Sequence, residues 1–259
     1  MSAETTADPR PPSPWLLLLE GGRAPWEYAA TLATMPWLNR VPAGDGHPVI
    51  VFPGLGASAL STRPLREYLG RLGYAVHDWG LGRNRPRPNL LDDCAQRVLQ
   101  IAEEHGAKVS LVGWSLGGVY ARELAKRLEP RVRCVITLGS PFSGHTRSTN
   151  AARAYELLAG HELQHDPERA ARLKRVPNVP TTSIYSRTDG VVAWRSSLNE
   201  AAPQAENIEI HASHLGLGVN PMAWYVVADR LRQDPAHWQR FDARRAPRWL
   251  MRTDMPASH

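Results

Sequence analysis

The sequence predicts an α/β fold in which a mostly parallel central sheet is flanked by helices. Three observations carry this. Short apolar runs rich in β-branched residues recur along the chain, amphipathic helical segments separate them, and a Gly-x-Ser-x-Gly turn joins one such run to the next helix. A strand buried on both faces reads as a continuous apolar run, and parallel neighbours need a crossover between them.

Composition sets the bounds. The 259 residues are 42% hydrophobic and 22% charged, enough for one well-buried core. Cys94 and Cys134 both sit in apolar-patterned segments and read as reduced core thiols. The net charge is +6, and all of the 31 basic residues except Lys108, Lys126 and Lys174 are arginine. Those arginines are scattered and no nucleic-acid-binding motif accompanies them, so no nucleic-acid partner is expected.

Taken in order, residues 1–14 read as a disordered leader, because Pro9, Pro11, Pro12 and Pro14 stand among small polar residues that bury little. The leader has neither the basic start nor the apolar run of a secretion signal, so a cytoplasmic location is expected. Residues 15–259 are read as a single domain. From Trp15 to Leu38, apolar residues including Trp26, Leu32 and Trp37 recur irregularly, and helical pieces packed on the core are expected. The alternative is a weak membrane-surface anchor, although the stretch lacks the basic polar face such anchors present. Its apolar run is too short for a transmembrane segment.

Pro48 to Phe52 is the first strand and Leu65 to Leu72 a helix. Tyr74 to Trp79 is the second strand, followed by the helix Leu90 to Glu104. The third strand, Lys108 to Gly113, leads into a helix from Gly118 to Leu128. Val132 to Leu138, Thr181 to Tyr185 and Ile208 to His211 complete the strands, and Pro221 to Arg232 is the last strong helix. No strand is read before Pro48. Residues 142–179 carry two helix-like stretches, Thr149 to Leu158 and Pro167 to Lys174, and read as a lid-like insertion whose Leu157, Leu158 and Leu163 either present an apolar wall to a ligand or pack onto the core.

The chemistry centres on Gly113-Trp114-Ser115-Leu116-Gly117. Such a match is weak alone, but its place between a strand and a helix is that of a nucleophile elbow. A serine that merely caps the helix is the plain alternative. A serine nucleophile needs a base, and the base an orienting acid, in the chain order Ser, acid, His. Asp189, just past a strand and before Gly190, supplies the acid. His214, in the loop after the last strand, supplies the base, with His211 as its rival. Strand alternation leaves His211 at the edge of the sheet. His145 is placed near the pocket mouth, and the remaining histidines, His47 among them, read as surface or loop residues. The backbone N–H groups of Leu116 and Leu55 are the expected oxyanion donors. No residue spacing suits a metal site, and no cofactor is implied.

Phe52-Pro53-Gly54-Leu55-Gly56, the Ser115 turn, Ser186-Arg187-Thr188-Asp189-Gly190 and Ser213-His214-Leu215-Gly216 together resemble the bacterial esterase and lipase branch of the α/β-hydrolase family. The resemblance spans roughly Val49 to Arg232. It implies hydrolysis of a small-molecule carboxylic ester, lipid-like in some members, through an acyl-enzyme on Ser115. An acyltransferase would use the same residues, and Trp79, Trp114 and Trp194, if they line the site, lower its wetness and raise transfer. A silent interaction protein on the same fold is a further alternative. One reading of another class remains. Gly54-Leu55-Gly56-Ala57-Ser58-Ala59 with Asp78 also fits a dinucleotide-binding turn of an oxidoreductase. Pro64 argues against it, because a helix starting within the glycine motif would hold this proline in its interior, whereas a helix starting near Thr62 takes it in the first turn; the reading also leaves Ser115, Asp189 and His214 without a role.

Overall fold

The computed structural model describes residues 11–143, 149–150, 152–159 and 166–247. Thirteen main elements are described: α1 (Pro14–Leu38), β1 (Pro48–Phe52), α2 (Ala59–Arg71), β2 (Ala75–Asp78), α3 (Leu90–His105), β3 (Val109–Trp114), α4 (Leu116–Arg127), β4 (Val132–Leu138), α5 (Ala152–Ala159), α6 (Pro167–Lys174), β5 (Thr181–Tyr185), β6 (Ala205–Glu209) and α7 (Pro221–Leu231). The six strands form one all-parallel sheet in the order β2-β1-β3-β4-β5-β6. The chain is α/β, as the alternation of runs predicts.

Strand alternation divides the core in two. Val49 and Val51 of β1 join Val112, Ile136 and Ile184 against α2 and α7, whose Leu65, Leu69, Trp224 and Leu231 are buried there. Ile50 and Phe52 point the other way, to Leu111 and Val135 and to Val98, Ile101 and Leu124 of α3 and α4. Cys94 and Cys134 are free thiols buried one in each cluster.

The order reverses direction between β1 and β3. In open parallel sheets the crevice at such a switch point lies beyond the carboxyl ends of the strands, and the loops that leave β1 and β3 meet there. That is where the glycine loop at Gly54 and the turn at Ser115 fall.

Several boundaries depart from expectation. Ser13 caps the first helix through Leu16 N, so that helix starts at Pro14, within the expected leader. Residues 15–38 form one continuous helix rather than pieces, despite Pro25 and Pro36. Both prolines lie on its exposed side, as do Gly21 and Leu32, whose carbonyls lose a helical donor and can turn to water. The helix α2 starts at Ala59 on a Ser58 cap, which leaves Pro64 in its interior. The argument from Pro64 therefore fails. β6 runs earlier than the apolar residues suggested, because Glu206 and Asn207 are held as polar partners by Thr182, Arg230 and Asn199. The insertion carries α5 and α6 close to the expected stretches. His145, Leu163, the first ten residues and the tail after Pro247 lie outside the described residues.

Candidate active site

Ser115 stands between β3 and α4 with φ 54° and ψ −123°, one of two described non-glycine residues at positive φ. Such a conformation strains an L-residue, and the surroundings impose it. Its N–H donates to Leu138 O of the neighbouring strand at 2.8 Å. Strand and helix approach so closely that a Cβ at Gly113 would strike Gly118, and one at Gly117 the carbonyls of Phe52 and Pro53. The side chain makes no helix-capping bond, which removes the plain reading of this serine.

The hydroxyl instead meets His214. Ser115 Oγ lies 3.0 Å from His214 Nε2, and His214 Nδ1 lies 2.7 Å from Asp189 Oδ2. Asp189 Oδ1 accepts from the N–H groups of Val191 and Val192 at 2.8 and 2.7 Å, which fixes the carboxylate after β5. Acceptor-only on one side, the carboxylate selects the tautomer with the proton on Nδ1, so Nε2 faces the hydroxyl as an acceptor. Gly139, at φ 54°, makes room: a Cβ there would lie 3.0 Å from Asp189 Oδ2 and 3.2 Å from His214 Nδ1. All three side chains are buried, with Ser115 the most accessible at 8%.

Burial alone would disfavour the imidazolium of His214. The charge and hydrogen bond of Asp189, together with the charge of Glu20, outweigh that, and its pKa is raised above the ordinary histidine value. The Trp114 indole donates to His214 O at 3.0 Å and lies tilted over the ring. The other two tryptophans expected here belong elsewhere. Trp79 is buried in the α3–α4 core, and Trp194 stacks on Tyr185 with Arg187 and Arg195 beside it.

His211 lies two residues past β6, exposed, its carbonyl accepting from Asn220. His47 differs from the surface or loop residue expected. It is buried, with Nε2 2.8 Å from Ser110 Oγ and Nδ1 bonded to Asp45. These are again a serine, a histidine and an aspartate, but Ser110 is fully buried inside β3 at the opposite end of the strand from Ser115, without an elbow.

Gly54 lies against Ser115, since a Cβ there would stand 3.4 Å from that of the serine. Leu55 and Leu116 follow these two residues, and among the described residues neither backbone N–H has a hydrogen-bond acceptor. The next two N–H groups of the glycine loop are engaged: Gly56 donates to Asn84 O at 2.7 Å and Ala57 to Gly54 O at 3.2 Å. Asn84 closes over them through Pro53 O and Ala57 O. A pyrophosphate would need those donors, and the strand order also differs from that of a dinucleotide fold, so the oxidoreductase reading fails.

Sequence reasoning missed a second layer, supplied by α1. Glu20 is 3% exposed; its Oε1 accepts from Gly190 N at 2.7 Å and His214 N at 2.9 Å, and its Oε2 from Leu215 N at 2.9 Å. Arg23 donates to Thr188 O and Oγ1, and Glu27 accepts from Ser213 N and from Asn220. Thr31 bonds Val219 O. These four lie on one face of the helix, and every exposed residue of α1 is glycine, alanine, proline, leucine or tryptophan. Polar residues at positions 20, 23, 27, 31 and 34 of a largely apolar stretch, at helical spacing, were the available signal.

The model of a family described as the alpha/beta hydrolase family matches residues 49–259. No curated protein sequence matches the chain. Among solved structures, Aspergillus fumigatus lipase B is similar at 21% identity and TM-score 0.56, over 76% of this chain but 57% of the fungal one. A Bacillus licheniformis lipase in mature form is similar at 17% identity and TM-score 0.55, over 75% of this chain and 95% of its own. The corresponding values for a Paleococcus ferrophilus monoacylglycerol lipase are 15%, 0.54, 73% and 95%. At these identities the likeness is one of fold.

Proposed function

Because the chain belongs to the alpha/beta hydrolase family, we propose that it is a serine hydrolase that cleaves carboxylic esters through an acyl-enzyme on Ser115. The observation that carries this reading is the hydrogen-bonded order Ser115, His214, Asp189, with the serine on a strained elbow. Ser115 Oγ attacks the ester carbonyl as its proton passes to His214 Nε2. Asp189 holds the ring and stabilises the imidazolium. The N–H groups of Leu55 and Leu116 receive the oxyanion, helped by the N-terminus of α4. His214 then returns the proton to the leaving alkoxide, which departs as alcohol. Water, deprotonated by His214, next attacks the acyl-enzyme; the acid leaves and the serine regains its proton. No cofactor takes part in these steps.

An active-site serine phosphonate tests the reading. Labelling of the full chain, lost in a folded Ser115→Ala variant, is the expected result. Labelling that persists on another serine would overturn it.

The substrate is read as an apolar ester, lipid-like in character. Leu158 supports this, since its side chain stands at the glycine loop, 3.6 Å from where a Cβ of Gly56 would lie, whereas Leu157 is 84% exposed. The insertion is accordingly read as a cover over the acyl group. Leu158→Ala is expected to shift the preference between short and medium acyl esters and Leu157→Ala to leave it unchanged; equal profiles would remove the insertion from specificity.

Weak association with a lipid surface belongs to the same reading. No helix among the described residues is long and apolar enough to cross a membrane. The support is the outer face of α1, where Trp15, Leu18 and Trp26 are 74%, 72% and 79% exposed, on a chain of net charge +6. Tryptophan favours the membrane interface, and the helix keeps its polar side for the protein. Co-sedimentation with anionic vesicles, reduced by Trp26→Ser, is expected. Equal recovery of both forms in the supernatant would count against it. On the cytoplasmic location expected from the sequence, fractionation of the native cells decides.

A further inference from the structure

The two loops that carry Asp189 and His214 leave different strands, β5 and β6, and an element far away in sequence bridges them. We propose that Glu20 is a positioning residue for this site, holding the Asp189 and His214 loops in the register that their mutual hydrogen bond requires. The proposal rests on the serine-hydrolase reading above. It concerns a residue outside the segment that matches the family, since α1 ends before residue 49.

The geometry is specific to a carboxylate. Gly190 N, next to Asp189, and His214 N share Glu20 Oε1, while Leu215 N takes Oε2. One rigid group thus ties the backbone beside the acid to the backbone of the base. Buried N–H groups need an acceptor, and an acceptor-only group with two oxygens serves three of them at once. Both loops are shaped for the contact. A Cβ on Gly190 would run into the backbone of Leu16, and one on Gly216 into the Glu27 carboxylate. The tie is therefore a packed junction.

The bridge also acts on charge. His214 meets Asp189 from the β5 loop and Glu20 from α1; Glu27 of α1 lies next to it on Ser213 N, Arg23 on Thr188, and Ser115 and Trp114 close the β3 side. As Ser115 attacks, His214 becomes an imidazolium, and a carboxylate on its backbone favours that state. Glutamine would keep the shape and an accepting oxygen but lose the charge, and would turn an N–H₂ toward one of the loop N–H donors.

The test is Glu20→Gln in the full chain, read by the rate of Ser115 phosphonate labelling across pH and by kcat and KM on a reporter ester. Labelling and kcat are expected to fall about 10- to 100-fold with KM little changed, as for a small misplacement of reacting groups. The acid limb should move to lower pH, because a charge that raises the His214 pKa has been removed. Glu20→Asp should recover part of the rate. A role confined to stability would lower the melting temperature and leave the acid limb in place. Rates within about twofold of the parent chain and an unmoved limb overturn the proposal. Failure of the parent chain itself to label at Ser115 would instead sink the hydrolase reading. In that event the His214 ring, titrated by NMR in the parent and in Glu20→Gln, still decides: a lower midpoint in the variant supports the bridge, an equal one overturns it.

Discussion

Replacement of His214 by alanine is expected to lower ester turnover by about four to six orders of magnitude, the range seen when one member of a cooperating nucleophile and base is removed. Both ring nitrogens of His214 are engaged, one with Ser115 and one with Asp189, and the ring is buried. Without it the hydroxyl has no acceptor for its proton, and the leaving alkoxide no donor. His211 lies exposed beyond β6, and its carbonyl accepts from Asn220. His211→Ala should therefore leave kcat/KM within about threefold of the parent. Steady-state kinetics on one reporter ester, with circular dichroism as a check on folding, separate the two. A mild His214→Ala beside a crippled His211→Ala would reverse the assignment.

Asp189→Asn should reduce the rate by about ten-thousandfold at neutral pH. Its nearer oxygen still accepts from Val191 and Val192, so the loop keeps its shape. What changes is the group at Nδ1: an amide N–H₂ there favours the tautomer whose Nε2 carries the proton and cannot accept from Ser115. The pH profile adds a signed test. Burial lowers the His214 pKa, while the charge and hydrogen bond of Asp189 raise it further, for a net rise above the ordinary value of 6.5. The base works only when neutral, so activity in the parent chain should be lost as pH falls through a value above 6.5. Removal of the Asp189 charge should carry that limb to lower pH. A parent limb at or below the ordinary histidine value would contradict the electrostatics described.

What the sequence makes legible follows from how local each signal is. The strands β1, β3 and β4 are buried along nearly their whole length, and their mostly apolar, β-branched runs mark them within a residue or two. Ser115, Asp189 and His214 each follow a strand, so their order and the turn residues beside them single them out, and the structure brings them into one hydrogen-bonded chain. The signal fails where partners are distant. β6 borders one strand only, and its Glu206 and Asn207 are satisfied by Arg230, Thr182 and Asn199, which hides it from a search for apolar residues. His47 reads as a loop residue until Ser110, 63 positions on, is seen to bury it. Glu20 lies 170 and 194 residues from two of its partners. Periodicity can place it on the polar side of a helix, but says nothing of what that side meets.

The positive φ of Ser115 sets foldedness and reactivity against one another at a single position. An L-residue held there gives up about 1–3 kcal/mol of the stability the chain would otherwise have. Glycine would adopt the same turn without strain and yield a sturdier protein that lacks the hydroxyl. On folding stability alone glycine would be the better residue at this elbow, so the serine is a cost to the fold that only its hydroxyl can offset, through the chemistry proposed for it.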